Sequence, residues 1–125
     1  MKYGILFYIM LSSTLAIVKA IRSIPRGKVS CYRDLALAAG FPNGARQVVR
    51  VLHSLSEKEK LPWHRVIRAD GSIALDSGQG LELQAALLRS EGVEVSKYGQ
   101  VDMDKYGVVP IPAVKPRKVP HPFPR

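Results

Sequence analysis

The 125 residues suit one domain, and with 46% hydrophobic residues the chain has enough apolar matter for a core, which excludes a wholly disordered protein. The formal net charge of +9 suggests a polyanionic partner, left open by composition between nucleic acid and an anionic membrane surface, with a basic balance that serves only solubility as the plainer alternative. The single cysteine, Cys31, excludes an internal disulfide framework and fits a reducing compartment; Cys31, His53, His64 and His121 show no metal-ligand spacing, so neither metal nor cofactor is expected.

The N-terminus supports two readings. Lys2 followed by the apolar run from Tyr3 to Leu11 and the small residues to Ala16 has the pattern of a short signal segment. The run is too short for a comfortable membrane span. Met10, Thr14, Ile17, Ile21 and Ile24 instead recur at helical spacing, and a cut after Ala16 would break into that pattern. The helix reading is therefore preferred, from about Ser12 to Ser23, ending at Ile24-Pro25-Arg26-Gly27.

Ser30 is placed to cap a helix that starts nearby, with Asp34 in its first turn and Gly40 as its C-terminal glycine. Phe41-Pro42-Asn43-Gly44 reads as a turn. The next helix, about Ala45 to Leu55, has Val48, Val51, Leu52 and Leu55 on one face and Arg46, Gln47, Arg50 and Ser54 on the other. Two helices joined by a short glycine-containing turn, the second exposing Arg and Gln, read as helix-turn-helix. A helical hairpin whose basic face serves only solubility is the plainer alternative.

Between Lys19 and Arg68 there are eleven basic and three acidic residues, so most of the charge lies on this stretch. Ser56 to Lys60 reads as a surface loop, Ser72 to Leu75 as a short strand after an Asp-Gly turn, and Asp76 to Gly80 as a glycine-rich loop. Leu81 to Ser90 is a third helix, and Val101 to Tyr106 holds a last short element. From Pro110 the chain becomes an extended basic tail with Lys115, Arg117, Lys118 and Arg125, which gives a domain at 1–109 and a tail at 110–125.

The most specific stretch is Pro62-Trp63-His64-Arg65-Val66. With Ile24-Pro25, Gly27-Lys28-Val29-Ser30, Tyr32, Ala45-Arg46-Gln47-Val48 and Glu91-Gly92-Val93, it resembles the O6-alkylguanine-DNA alkyltransferases across about Ile17 to Tyr106. Tryptophan in place of the cysteine of Pro-Cys-His-Arg is the signature of the alkyltransferase-like proteins, their non-catalytic relatives. The resemblance implies a mainly α, winged-helix-like DNA-binding domain with a helix-turn-helix that enters the minor groove. It implies a partner, double-stranded DNA with O6-alkylguanine, whose damaged nucleotide is flipped without alkyl transfer and flagged for nucleotide excision repair proteins. It implies a monomer that binds no membrane, cytoplasmic in location, nucleoid-associated in a bacterium and nuclear in a eukaryote.

Carried over residue by residue, the DNA-binding set is Ser30, Tyr32, Gly44, Ala45, Arg46, Gln47 and Arg50. Tyr32 matches the tyrosine that pushes on the backbone, and Arg46 matches the arginine finger that fills the vacated stack. The lesion pocket is expected from Tyr32, Trp63, Val66, Asp76 and Ser77. His64 and Glu91 match the pair that activates the family's cysteine, but an indole has only a donor nitrogen and no nucleophile. Without the thiol the pair has a purely structural reading, and Cys31 reads as a packing residue. Val49 stands where the family commonly has glycine, facing either the core or the DNA. Asp76 lies in a loop that supplies a tyrosine or arginine in relatives. The competing function is an ordinary helix-turn-helix regulator that reads intact DNA through Arg46 and Arg50, with Trp63 as core.

Overall fold

The computed structural model describes residues 4–110, with side chains from residue 12 onward. Helix α1 spans Gly4–Arg22, strand β1 Ser30–Cys31, α2 Tyr32–Ala38 and α3 Ala45–Leu55. A 3-10 turn over Trp63–Arg65 leads into β2, Val66–Ile67, followed by α4, Leu81–Ser90, and α5, Met103–Tyr106. The fold is mainly helical with one small sheet, and α2 and α3 form the expected helix-turn-helix. The basic tail lies outside the described residues except for Pro110.

Helix α1 is longer at its start than the sequence pattern indicated. Its inward face is Ile17, Ile21 and, just past its end, Ile24, each at most 1% exposed. Met10 lies outside the described side chains. These residues pack on Leu35 and Ala36 of α2 and on Val48 and Val51 of α3. Burying an isoleucine stabilises by about 1.5–3 kcal/mol, so this face anchors the hairpin. A second cluster gathers Val29, Ile67, Ile73, Leu88, Val101 and Tyr106 around α4 and α5.

The two clusters meet at the sheet. β1 and β2 run parallel, with Ser30 opposite Val66 and Cys31 opposite Ile67. Successive strand side chains point to opposite faces. Val66 accordingly joins the α1–α3 cluster and Ile67 joins the α4–α5 cluster. Val29 extends the arrangement by bridging to Gly107: its N–H donates to the Tyr106 carbonyl at 3.0 Å, and the Val108 N–H donates to its carbonyl at 2.8 Å.

Two details correct the sequence reading. Ser30 caps no helix: it is in the strand, and the cap position of α2 is Cys31 in extended geometry without a side-chain cap bond. Parallel pairing with Val66 holds Ser30 one residue too early to cap. Ser72 to Leu75 forms no strand, because its pairing is confined to a single antiparallel bridge between Ser72 and Gln100, which the Ile73 N–H helps close on the Gly99 carbonyl.

Three turns close on the same pair of backbone bonds, in which a left-handed residue reaches back three positions and the residue after it reaches back five. After α2, the Gly40 N–H reaches the Leu37 carbonyl and the Phe41 N–H the Ala36 carbonyl. After α4, Gly92 reaches Arg89 and Val93 reaches Leu88. Both glycines have φ of 90°, a left-handed backbone that glycine adopts without penalty. The third case follows α3, where Leu61 reaches Ser56 at 2.9 Å and Lys60 reaches Glu57 at 3.4 Å. Here the left-handed position is a lysine, with φ of 51°. Residues 56–60, expected as a surface loop, form a run of hydrogen-bonded turns beyond the end of α3.

Candidate nucleic-acid interface and base pocket

Helix α3 presents the basic face. Arg46, Gln47 and Arg50 are exposed, and neither arginine makes an ion pair or side-chain hydrogen bond among the described residues. Ala45 is half-buried at the first position of α3. Gly44 turns inward: a side chain there would come within 2.7 Å of the Phe41 Cβ. Its smallness makes room for the preceding turn rather than for a groove. Ser30 is also inward, fully buried with no hydrogen-bond partner for its hydroxyl, which leaves that hydroxyl no route to the surface.

Beside α3 lies a cavity of about 740 Å³. Tyr32 at the start of α2 and Trp63 at the start of the 3-10 turn supply its aromatic walls. Val49, Leu52, Leu61, Val66, Leu75 and Leu87 make the lining mainly apolar. His53, Ser56, Glu57, Lys60, His64 and Gln84 add polar groups. Of the five pocket residues expected from sequence, Tyr32, Trp63 and Val66 line this space. Asp76 and Ser77 do not: both are exposed in the following loop, and the Ser77 hydroxyl donates to Glu82 instead. Their neighbour Leu75 takes the wall position. Val49 belongs to the cavity and not to the core, with 39% of its surface exposed.

Trp63 is half-buried and meets the His64 ring edge-on, with centroids 6.1 Å apart and planes at 85°. A buried network fixes the turn that carries it. Glu91, its side chain 5% exposed, receives Arg65 through two prongs: Nε to Oε1 and a terminal nitrogen to Oε2, both at 2.9 Å. The Gly27 N–H donates to Oε1 at 3.0 Å, and His64 Nε2 lies 2.6 Å from Oε2. Burial alone would push the Glu91 carboxyl up, but Arg65, the Gly27 amide and His64 together hold it at about 2. An ionised carboxylate only accepts, so Nε2 of His64 is the donor. Arg65 also donates to the Ile24 carbonyl at 2.9 Å, tying the turn to the end of α1. From the other side, the buried Gln84 donates to the carbonyls of His64 and Val66 at 3.1 and 3.0 Å.

Cys31 is 1% exposed, and burial raises its thiol above the ordinary cysteine value despite a backbone hydrogen bond to Asp34. Burial likewise pushes the Tyr32 hydroxyl up, with the nearby charge of Arg68 pulling the other way. No group of three or more potential metal ligands occurs among the described residues, and no described helix is long and apolar enough to cross a membrane.

Sequence reasoning missed His53, Leu75, Gln84 and Leu87 as wall residues. Gln84 and Leu87 lie three apart on α4, where the spacing was a usable signal; Leu75 lies in irregular chain, where none exists.

Residues 12–93 match the family described as 6-O-methylguanine DNA methyltransferase, DNA binding domain. A DNA base-flipping protein of Vibrio parahaemolyticus is 46% identical over 90 residues, which span 72% of this chain and 89% of that protein. Alkyltransferase-like protein 1 of Schizosaccharomyces pombe is 42% identical over 77 residues, spanning 61% of this chain and 71% of that protein. The crystal structure of S. pombe Atl1 in complex with damaged DNA containing O6-carboxymethylguanine superposes with a TM-score of 0.70 at 34% identity, covering 81% of this chain and 98% of that one.

Proposed function

We propose a function from one premise: this chain belongs to the 6-O-methylguanine DNA methyltransferase DNA-binding family, as an alkyltransferase-like protein. It binds duplex DNA, turns an O6-alkylated guanine out of the stack into the cavity beside Trp63, and holds it there without chemistry. The observation that carries this reading is the position of Trp63: half-buried, on the wall of an apolar cavity that shares helix α3 with the exposed arginines.

Flipping costs a few kcal/mol of lost stacking. Tyr32, at the cavity wall, crowds the backbone of the leaving nucleotide. Arg46 enters the vacated place, where a guanidinium can stack and donate to the orphaned base. The extruded purine then rests against the indole, whose flat apolar face suits an alkylated ring. Gln47 and Arg50 add contacts along the groove.

Alkyl transfer needs a nucleophile, and the residue beside His64 and Glu91 is an indole. Cys31 supplies no substitute, being buried with its thiol held protonated. The Arg65–Glu91–His64 network acts as a brace for the turn that displays Trp63. The protein works as a monomer in the compartment that holds the DNA, and the stable complex marks the lesion for nucleotide excision repair.

The test is binding to matched duplexes with and without one O6-methylguanine, followed by intact mass measurement of the protein. A large lesion preference with no mass gain is expected. Equal affinity for the two duplexes would favour a regulator of intact DNA, and a gain of one methyl group would overturn the non-catalytic reading.

A further inference from the structure

We propose that Arg68 grips the DNA phosphate on which Tyr32 presses, so that the two side chains act as one phosphate-holding pair at the mouth of the cavity. The inference rests on the base-flipping reading above. The parallel register sets Cys31 beside Ile67, so the next residue on each strand, Tyr32 and Arg68, leaves the ladder side by side. The arginine charge is close enough to act on the Tyr32 hydroxyl. Two turn bonds fix its backbone: its N–H donates to the Ser72 carbonyl, and its carbonyl accepts from the Gly71 N–H, each at 2.9 Å.

Its side chain is exposed and has no hydrogen bond or ion pair among the described residues. The nearby carboxylate of Asp70 feels the arginine charge but makes no ion pair or hydrogen bond with it. That carboxylate accepts from the N–H of Ser72 at 2.9 Å and from its hydroxyl at 2.6 Å. The guanidinium is thus an unspent fork of donors on a rigid mount, next to the ring that contacts the backbone. A phosphodiester matches that fork with two oxygens. A tyrosine alone can push a phosphate; the adjacent cation holds it in the rotated position.

The test uses lesion duplexes in which each phosphate flanking the damaged nucleotide is replaced, one at a time, by an uncharged methylphosphonate. On the ordinary lesion duplex, Arg68→Gln is expected to lose affinity on the order of tenfold and to lower the signal of a fluorescent base analogue that reports flipping. On one methylphosphonate duplex the same variant should lose nothing further. Arg68→Lys should recover part of the affinity, since it restores a charge without the fork. Arg68→Gln costing the same on every methylphosphonate duplex, or costing nothing, overturns the pair while leaving the lesion preference of the unmodified chain in place. A chain without lesion preference overturns the reading beneath it and the pair together.

Discussion

Replacing Glu91 by glutamine should change how stability depends on pH. The Glu91 carboxyl is held at about 2 in the fold instead of the ordinary 4.5. A difference of that size corresponds to about 3 kcal/mol favouring the folded, ionised form. The sign follows from the depressed value. The contribution is complete above the unfolded value of 4.5 and is lost as pH falls toward 2. Glutamine keeps the shape but leaves Arg65 as a buried cation without its two-pronged partner, which costs about 3–5 kcal/mol at neutral pH. The assay is urea unfolding at intervals from pH 8 to pH 2 for both chains. The difference between them should be greatest above pH 5 and should narrow by about 3 kcal/mol as pH falls to 2. A constant difference across that range would refute the reasoning, because the carboxylate charge would then contribute nothing that its amide does not.

Arg46→Ala should lower affinity for the lesion duplex by about 1–3 kcal/mol, as other base-stacking contacts do, and affinity for intact DNA by less; titration of both duplexes with a fluorescent label checks it. Lys60→Gly should raise stability by up to about 1 kcal/mol, because glycine adopts φ of 51° without the penalty a lysine bears. Thermal unfolding reads this as a higher Tm, and a lower one would show that the lysine side chain stabilises the turn. Removing residues 110–125 should weaken binding to damaged and intact DNA alike and flatten the salt dependence, since Lys115, Arg117, Lys118 and Arg125 can meet phosphates, which carry no base identity. A truncation that abolished only the lesion preference would contradict this.

Helix α3 was legible to the residue because Val48, Val51, Leu52 and Leu55 repeat at helical spacing, with Gly44 ahead of them. Helix α4 and the glycine that ends α2 were legible for the same kind of reason. The two strands were not. Two residues are too short to show any period, and their pairing joins segments 36 positions apart. Ser30 and Gly44 have the residue types of surface contacts, and only burial reveals them as interior. The site was legible where it coincides with a motif, at Trp63, and illegible in the loop at Asp76, where register slips by one position to Leu75. The motif paired Glu91 with His64; that Arg65 is its two-pronged partner required coordinates.

The alternation of Val66 and Ile67 bears on how the molecule comes apart. One residue of the strand is embedded in each hydrophobic cluster, and the peptide between them is a single link. Neither half can loosen without pulling on the other, so the two behave as one cooperative unit and not as separate foldons. Amides of β1 and β2 should then exchange with solvent only through global opening. On the proposed reading the consequence is mechanical. Tyr32 opens α2 directly after β1, and Trp63 opens the 3-10 turn that leads into β2, so the force of levering a nucleotide outward would be borne by the whole domain, not by a loop that gives way.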